Sequence, residues 1–196
     1  MRILTVSDFI EKSLDKKIEE NTLQPIDLIL SCGDIEPEYL LFLREKLTAP
    51  LYYVQGNHDI RHKGYSPEGC KDIHKKLVRF NSIKIAGFGG SMWYNGKENQ
   101  YTEKEMKTAI RSMWFTFFIS KGVDIIITHA PPRHIHDAED LCHRGFKCFV
   151  KLIEKQNPKF FIHGHIHKNF NNPFERVTLK GETEVINTCG YNILEY

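Results

Sequence analysis

Six short apolar runs recur along the chain: RILTV (2–6), DLILSC (27–32), LYYVQ (51–55), IKIAGF (83–88), DIIITH (124–129) and KFFIHG (159–164). Their β-branched and aromatic content, with lengths of about five or six residues, predicts strands rather than helices. Their apolar character is nearly continuous, so both faces are expected to be buried. Between the runs the spacing becomes helical. After Pro37, a residue suited to a first helical turn, Leu40, Leu43 and Leu47 share one face. Thr102 and Glu105 have capping-box spacing, and Met106, Ile110, Met113 and Phe117 follow at helical intervals. Another helix is expected from near Gly145 to before Pro158, with Phe146, Val150 and Ile153 inward. The tail RVTLKGETEVINT (176–188) predicts a hairpin turning at Lys180-Gly181-Glu182. The sum is an α/β fold, a mixed sheet or a pair of sheets covered by helices.

Composition narrows the class without naming a chemistry. At 196 residues the chain suits a single domain over 1–196, large enough to bury a core without staples. A net charge of +2, and basic pairs no longer than Lys16-Lys17 or Lys75-Lys76, argue against nucleic acid as a partner. The five cysteines are odd in number and contain no Cys-x-x-Cys pair, as expected for reduced thiols in a cytoplasmic protein. No apolar stretch approaches a membrane span or a signal sequence, so a membrane is not an expected partner. Oligomeric state is not legible.

The polar residues at strand ends change the picture. Asp8 follows the first run, Gly33-Asp34 the second and Gly56-Asn57-His58-Asp59 the third; His129 ends the fifth and His163-Gly164-His165-Ile166-His167 the sixth. Seven of the ten histidines lie between 129 and 167. In α/β sheets, ligands bind beyond the carboxyl ends of the strands, where residues remote in sequence converge. An oxygen and nitrogen set without thiolate suits Mn, Fe, Zn, Co or Ni. Each residue alone has a plainer reading: Asp8 or Asp34 as a helix cap, His129 bonded to backbone, His163 structural. Their joint order, with glycines alongside, favours a metal centre.

These motifs resemble the calcineurin-like metallophosphoesterase family, whose order is D-x-H, G-D, G-N-H-D/E, H and G-H-x-H. The resemblance spans residues 8 to 167 and implies a four-layer αββα sandwich with two divalent ions. It implies that Asp34 bridges the ions, that Asp8 and His167 complete the first site, and that Asn57, His129 and His165 hold the second. It further implies phosphoester hydrolysis by a hydroxide activated between the ions, with His58 on the leaving-group side and Asp59 hydrogen-bonded to it. One position departs: the first motif's histidine is Ile10 here, so the Asp8/His167 site is expected to hold metal more weakly.

Around this centre, Asn95 and His143 are candidate substrate contacts, Trp93 and Tyr94 are expected to pack, and Arg61 reads equally as a phosphate-steering charge or a solvated surface charge. The expected substrate is a small phosphoester, a phosphodiester or nucleotide-type molecule. Two alternatives are a non-catalytic protein-interaction module on the same scaffold, which Ile10 favours and His58 opposes, and a nuclease of the same superfamily, which the near-zero net charge opposes.

Overall fold

The computed structural model describes residues 1–59, 62, 65–168, 170 and 172–196; Arg61 lies outside the described residues. All six apolar runs form strands, as β1 (Arg2–Ser7), β2 (Leu28–Ser31), β3 (Leu51–Tyr53), β6 (Ile83–Phe88), β9 (Ile125–Thr128) and β10 (Phe160–His163). β2, β9 and β10 are buried at every position, which accounts for their unbroken apolar character. The expected hairpin forms from β11 (Val177–Lys180) and β12 (Thr183–Asn187), with Lys180 paired to Thr183 across the turn.

The chain contains two main sheets. The first has the order β13-β1-β2-β3-β4, where β4 is Cys70–Asp72 and β13 is Gly190–Glu195. Within it β1 to β4 run parallel, and β13 lies antiparallel to β1. The second has the order β11-β12-β10-β9-β6-β5, where β5 is Lys76–Phe80; its β6, β9, β10 and β12 are parallel. A small pair, β7 (Ser91–Met92) and β8 (Gln100–Tyr101), follows β6.

Three apolar layers hold four structural layers together. Ile3, Leu28 and Leu30 of the first sheet meet Ile85, Ile125, Ile127, Ile162 and Ile186 of the second. The first sheet's other face packs Leu4, Val6, Ile29 and Leu51 against Leu14 and Ile18 of α1 (Lys12–Glu19) and Leu40 and Leu43 of α2 (Pro37–Leu47). The second sheet's outer face packs Ala86, Phe88, Ile126, Phe161 and Val185 against α3 (Glu103–Ser112), α4 (Trp114–Ser120) and α5 (Lys147–Gln156). The result is an αββα sandwich. Burying each such Leu, Ile or Phe contributes about 1.5–3 kcal/mol.

Two helical expectations need correction. The single run expected through Phe117 divides at Met113, whose φ of −91° and ψ of 0° leave helical geometry and re-aim α4. In α5 the buried face is Cys148, Phe149, Leu152 and Ile153, while Val150 is only partly buried at its margin. Three phenylalanines, Phe88, Phe146 and Phe161, gather around Phe149 and set the rotation of the helix.

Candidate metal centre

The parallel strands of both sheets deliver their carboxyl ends to one edge. Backbone bonds tie the resulting loops together: Asp8 N–H donates to Gly33 O at 3.1 Å, and Gly164 N–H to His129 O at 3.1 Å. Asp8, Asp34 and His165 all take left-handed backbone conformations, with φ of 70°, 56° and 67°. Each such residue costs on the order of 1–3 kcal/mol, and this strain characteristically collects at functional sites. Gly56 is needed for another reason. A Cβ there would meet Asp34 Oδ1 at 2.1 Å and His129 Cε1 at 2.6 Å.

Asp34, His129 and His165 bring one potential ligand atom each to within 4.8 Å of one another. His129 is fully buried, and its Nδ1 faces the Cys32 carbonyl at 2.8 Å. Donation there leaves Nε2 as the coordinating nitrogen, 2.9 Å from Asn57 Oδ1 and 3.4 Å from Asp34 Oδ2. When the ring is neutral, Nε2 and the two oxygens are three converging acceptors, a pocket filled by a proton on Nε2 or by a cation in its place. The electrostatics agree. Burial alone would lower the His129 pKa, yet the Asp34 carboxylate lifts it to about 9. Burial would raise Asp34, but His129 and the His58 amide bring it down to about 2. A site that holds a proton this strongly presents negative potential to any cation.

His165 is oriented in the same way. Its Nε2 faces the Cys142 carbonyl at 2.8 Å, leaving Nδ1 as lone pair, and burial beside His129 pushes its pKa down to about 4. Its backbone N–H donates to both oxygens of Asp8, at 2.9 and 3.0 Å. Asp8 also accepts from Ser7 Oγ, and its Oδ1 lies 3.4 Å from His167 Nε2. The Asp8 side chain is buried and that of His167 is 63% exposed, so this half of the cluster opens to solvent. Ile10 is 43% exposed and offers no donor.

The other sequence candidates fall in different places. His58 stands exposed at the rim with its N–H donated to Asp34 Oδ1 at 2.8 Å. With Asp34, Glu36, Pro37, Asp59 and His62 it lines a hollow of about 190 Å³. Asp59 does not meet His58 in any hydrogen bond among the described residues. Its Oδ2 instead accepts the Asp34 and Gly56 N–H groups at 2.7 Å each, and Oδ1 lies 3.6 Å from His62 Nε2. Asp59 therefore clamps two donor-bearing loops, and burial raises its pKa despite the two amides. His143 binds Asp140 at 3.0 Å, with its ring centred 5.4 Å from that of His165. Asn95 is engaged within its own turn, accepting from Gln100 Nε2 and Lys97 N–H.

Tyr94, expected to pack, reaches the cluster instead: its hydroxyl accepts from Asn57 Nδ2 at 3.2 Å. Its place next to Asn95 and after a strand was the available signal. The Cys32 and Cys142 carbonyls have no sequence signature, since any residue supplies one. His163 bonds away from the cluster, to His136 Nδ1 and the Gly164 carbonyl.

The αββα fold is of the metallophosphoesterase type, and the donor set gathers at the carboxyl ends of its strands. The sequence matches the calcineurin-like phosphoesterase superfamily domain over residues 1–188, and the chain belongs to that family. Among solved structures it is similar to TT1561 of Thermus thermophilus, with a TM-score of 0.63 and 18% identity over 96% of this chain and 88% of that one. It is also similar to a putative 5'-nucleotidase from Staphylococcus aureus, at TM-score 0.55 and 12% identity, covering 99% of this chain and 50% of that one. An archaeal phosphodiesterase aligns at TM-score 0.50 and 16% identity, covering 100% of this chain and 93% of its own. These likenesses establish the fold. No curated protein sequence matches the chain.

Proposed function

We propose that the protein is a metal-dependent phosphoesterase acting on a phosphodiester or small nucleotide-type substrate. The observation that carries this reading is the convergence of His129 Nε2 with Asp34 Oδ2 and Asn57 Oδ1 in one buried pocket. Asp34, Asn57, His129 and His165 would hold one divalent ion, and Asp34, Asp8 and His167 a second. Bound ions supply phosphoryl-charge neutralisation and lower the pKa of water. His58, whose backbone N–H bonds Asp34 at the rim, would donate a proton to the leaving group. Tyr94 holds the Asn57 amide so that its oxygen stays aimed at the pocket. His143, next to the His165 ring, is the substrate-side contact we favour over Asn95.

The test is hydrolysis of bis-p-nitrophenyl phosphate with added Mn²⁺ or Ni²⁺. Asp34→Asn is expected to abolish turnover, and His58→Ala to reduce it by about 10²-fold while metal binding persists. The His58→Ala deficit should widen with a poorer leaving group. Equal residual rates in wild type and both variants would overturn the reading.

A second reading, a non-catalytic interaction module, draws support from Ile10, which offers no ligand beside Asp8. Metal titration separates the two. Absence of binding at micromolar metal favours the module, whereas one tight and one weaker ion is the outcome expected of the enzyme.

A further inference from the structure

The outer face of α4 has no partner among the described residues. Phe117 enters the core at 4% exposure, yet Trp114, Phe115, Phe118 and Ile119 remain 54%, 63%, 68% and 63% exposed. Trp114 and Phe118 stack at 5.7 Å, making one protruding apolar ridge. Beside it, between α3 and α5, runs a groove of about 560 Å³ floored by Ile110, Phe117 and Leu152. Its polar rim is cationic: Lys107, Arg111, Lys151 and Lys155 line it, and no carboxylate does. None of these four forms an ion pair among the described residues. Exposed apolar patches of this kind mark interaction surfaces.

We propose that this face docks on the surface of an anionic lipid bilayer. The charge selects the occupant. A second copy meeting this face across a two-fold axis would set the same four cations against one another, which disfavours self-association. The occupant must therefore carry negative charge and accept a convex aromatic ridge. A bilayer interface does both: Trp and Phe settle at headgroup depth while Lys and Arg meet anionic lipids. No helix among the described residues is long and apolar enough to cross a membrane, and none is required, because α4 would lie in the plane of the interface. The orientation is productive. Lys84 Nζ donates to Lys121 O just beyond α4, and Asp124 leads into the start of β9, so the ridge sits at the amino ends of the strands. The metal-ligand candidates lie at the carboxyl ends, facing water when α4 is docked.

The experiment reads Trp114 fluorescence in a Trp93→Phe background, where Trp114 is the sole tryptophan. Vesicles of phosphatidylcholine mixed equally with phosphatidylglycerol should shift its emission to the blue and co-sediment the protein. Vesicles of phosphatidylcholine alone should bind less, and salt should weaken the anionic case. Phe115→Ser with Phe118→Ser, both at exposed positions, should weaken partition about tenfold or more. Lys151→Glu with Lys155→Glu should remove the preference for phosphatidylglycerol. Circular dichroism checks that each variant folds. No blue shift on anionic vesicles, or unchanged binding by the double phenylalanine variant, would overturn the proposal. A concentration-dependent dimer that buries Trp114 without lipid, or a shift produced only by an acidic amphipathic peptide, would also overturn it. Neither outcome bears on the metal centre, so this proposal and the phosphoesterase reading fail separately.

Discussion

Gly56 and Asp59 fix the donor cluster without ligating anything. A methyl group on Gly56 would collide with both Asp34 and His129, and neither can withdraw, since Asp34 Oδ1 accepts the His58 amide and His129 is pinned to Cys32. Gly56→Ala is therefore expected to weaken metal binding at least about tenfold and to cost about 1–3 kcal/mol of stability. Calorimetric metal titration and urea unfolding would check it. Asp59→Ala strands the buried Asp34 and Gly56 N–H groups and should destabilise by about 2–4 kcal/mol. Asp59→Asn keeps an acceptor and should recover much of that loss. If instead Asp59 acted through His58, both variants would reduce turnover equally with little change in unfolding midpoint.

Helix α3 begins at a complete capping box. Thr102 Oγ1 accepts from Glu105 N–H, and Glu105 Oε2 accepts from Thr102 N–H at 2.8 Å. Thr102→Ala is expected to cost about 1 kcal/mol, read as a lower urea midpoint with an unchanged slope. This helix is legible in the sequence because both its cap and its apolar period lie within a few residues. Helix α1 is not, since Lys12–Glu19 buries only Leu14 and Ile18 and has no side-chain cap. Strands β5 and β13 carry no clear signal either. β5 buries a single residue and β13 only Gly190, because both lie at sheet edges where apolar runs are dispensable.

Across the whole molecule, acid should act through buried histidines outside the centre. His74 lies where β4 gives way to β5; burial and neighbouring Lys75 push its pKa down to about 4. Its Nδ1 accepts the Gly89 N–H at 2.9 Å, a bond only the neutral ring can make. The unfolded chain binds a proton near pH 6.5 and the folded chain only near 4, so this contribution is whole above 6.5 and is lost as pH falls through 4. The loss amounts to about 3 kcal/mol. Unfolding free energy should accordingly fall from pH 7 to pH 4.5, and His74→Asn, which retains an acceptor, should flatten part of that slope.

The sequence by itself determined the six apolar strands and the tail hairpin, most of the helices, the order of ligand-type residues at strand ends and the substitution at Ile10. Those features are local: period, cap and turn chemistry act over a few residues. Only the tertiary structure decided which donors meet. Asp34 and Asn57 come from one sheet and His129 and His165 from the other, and the sheets face each other only after Ile3, Leu28 and Leu30 pack on Ile125, Ile127 and Ile162. The same packing chose Tyr94 over Asn95, turned Asp59 onto two backbone amides and left α4 bare. Contacts of that kind depend on chain segments far apart in sequence, and no local pattern encodes their distance.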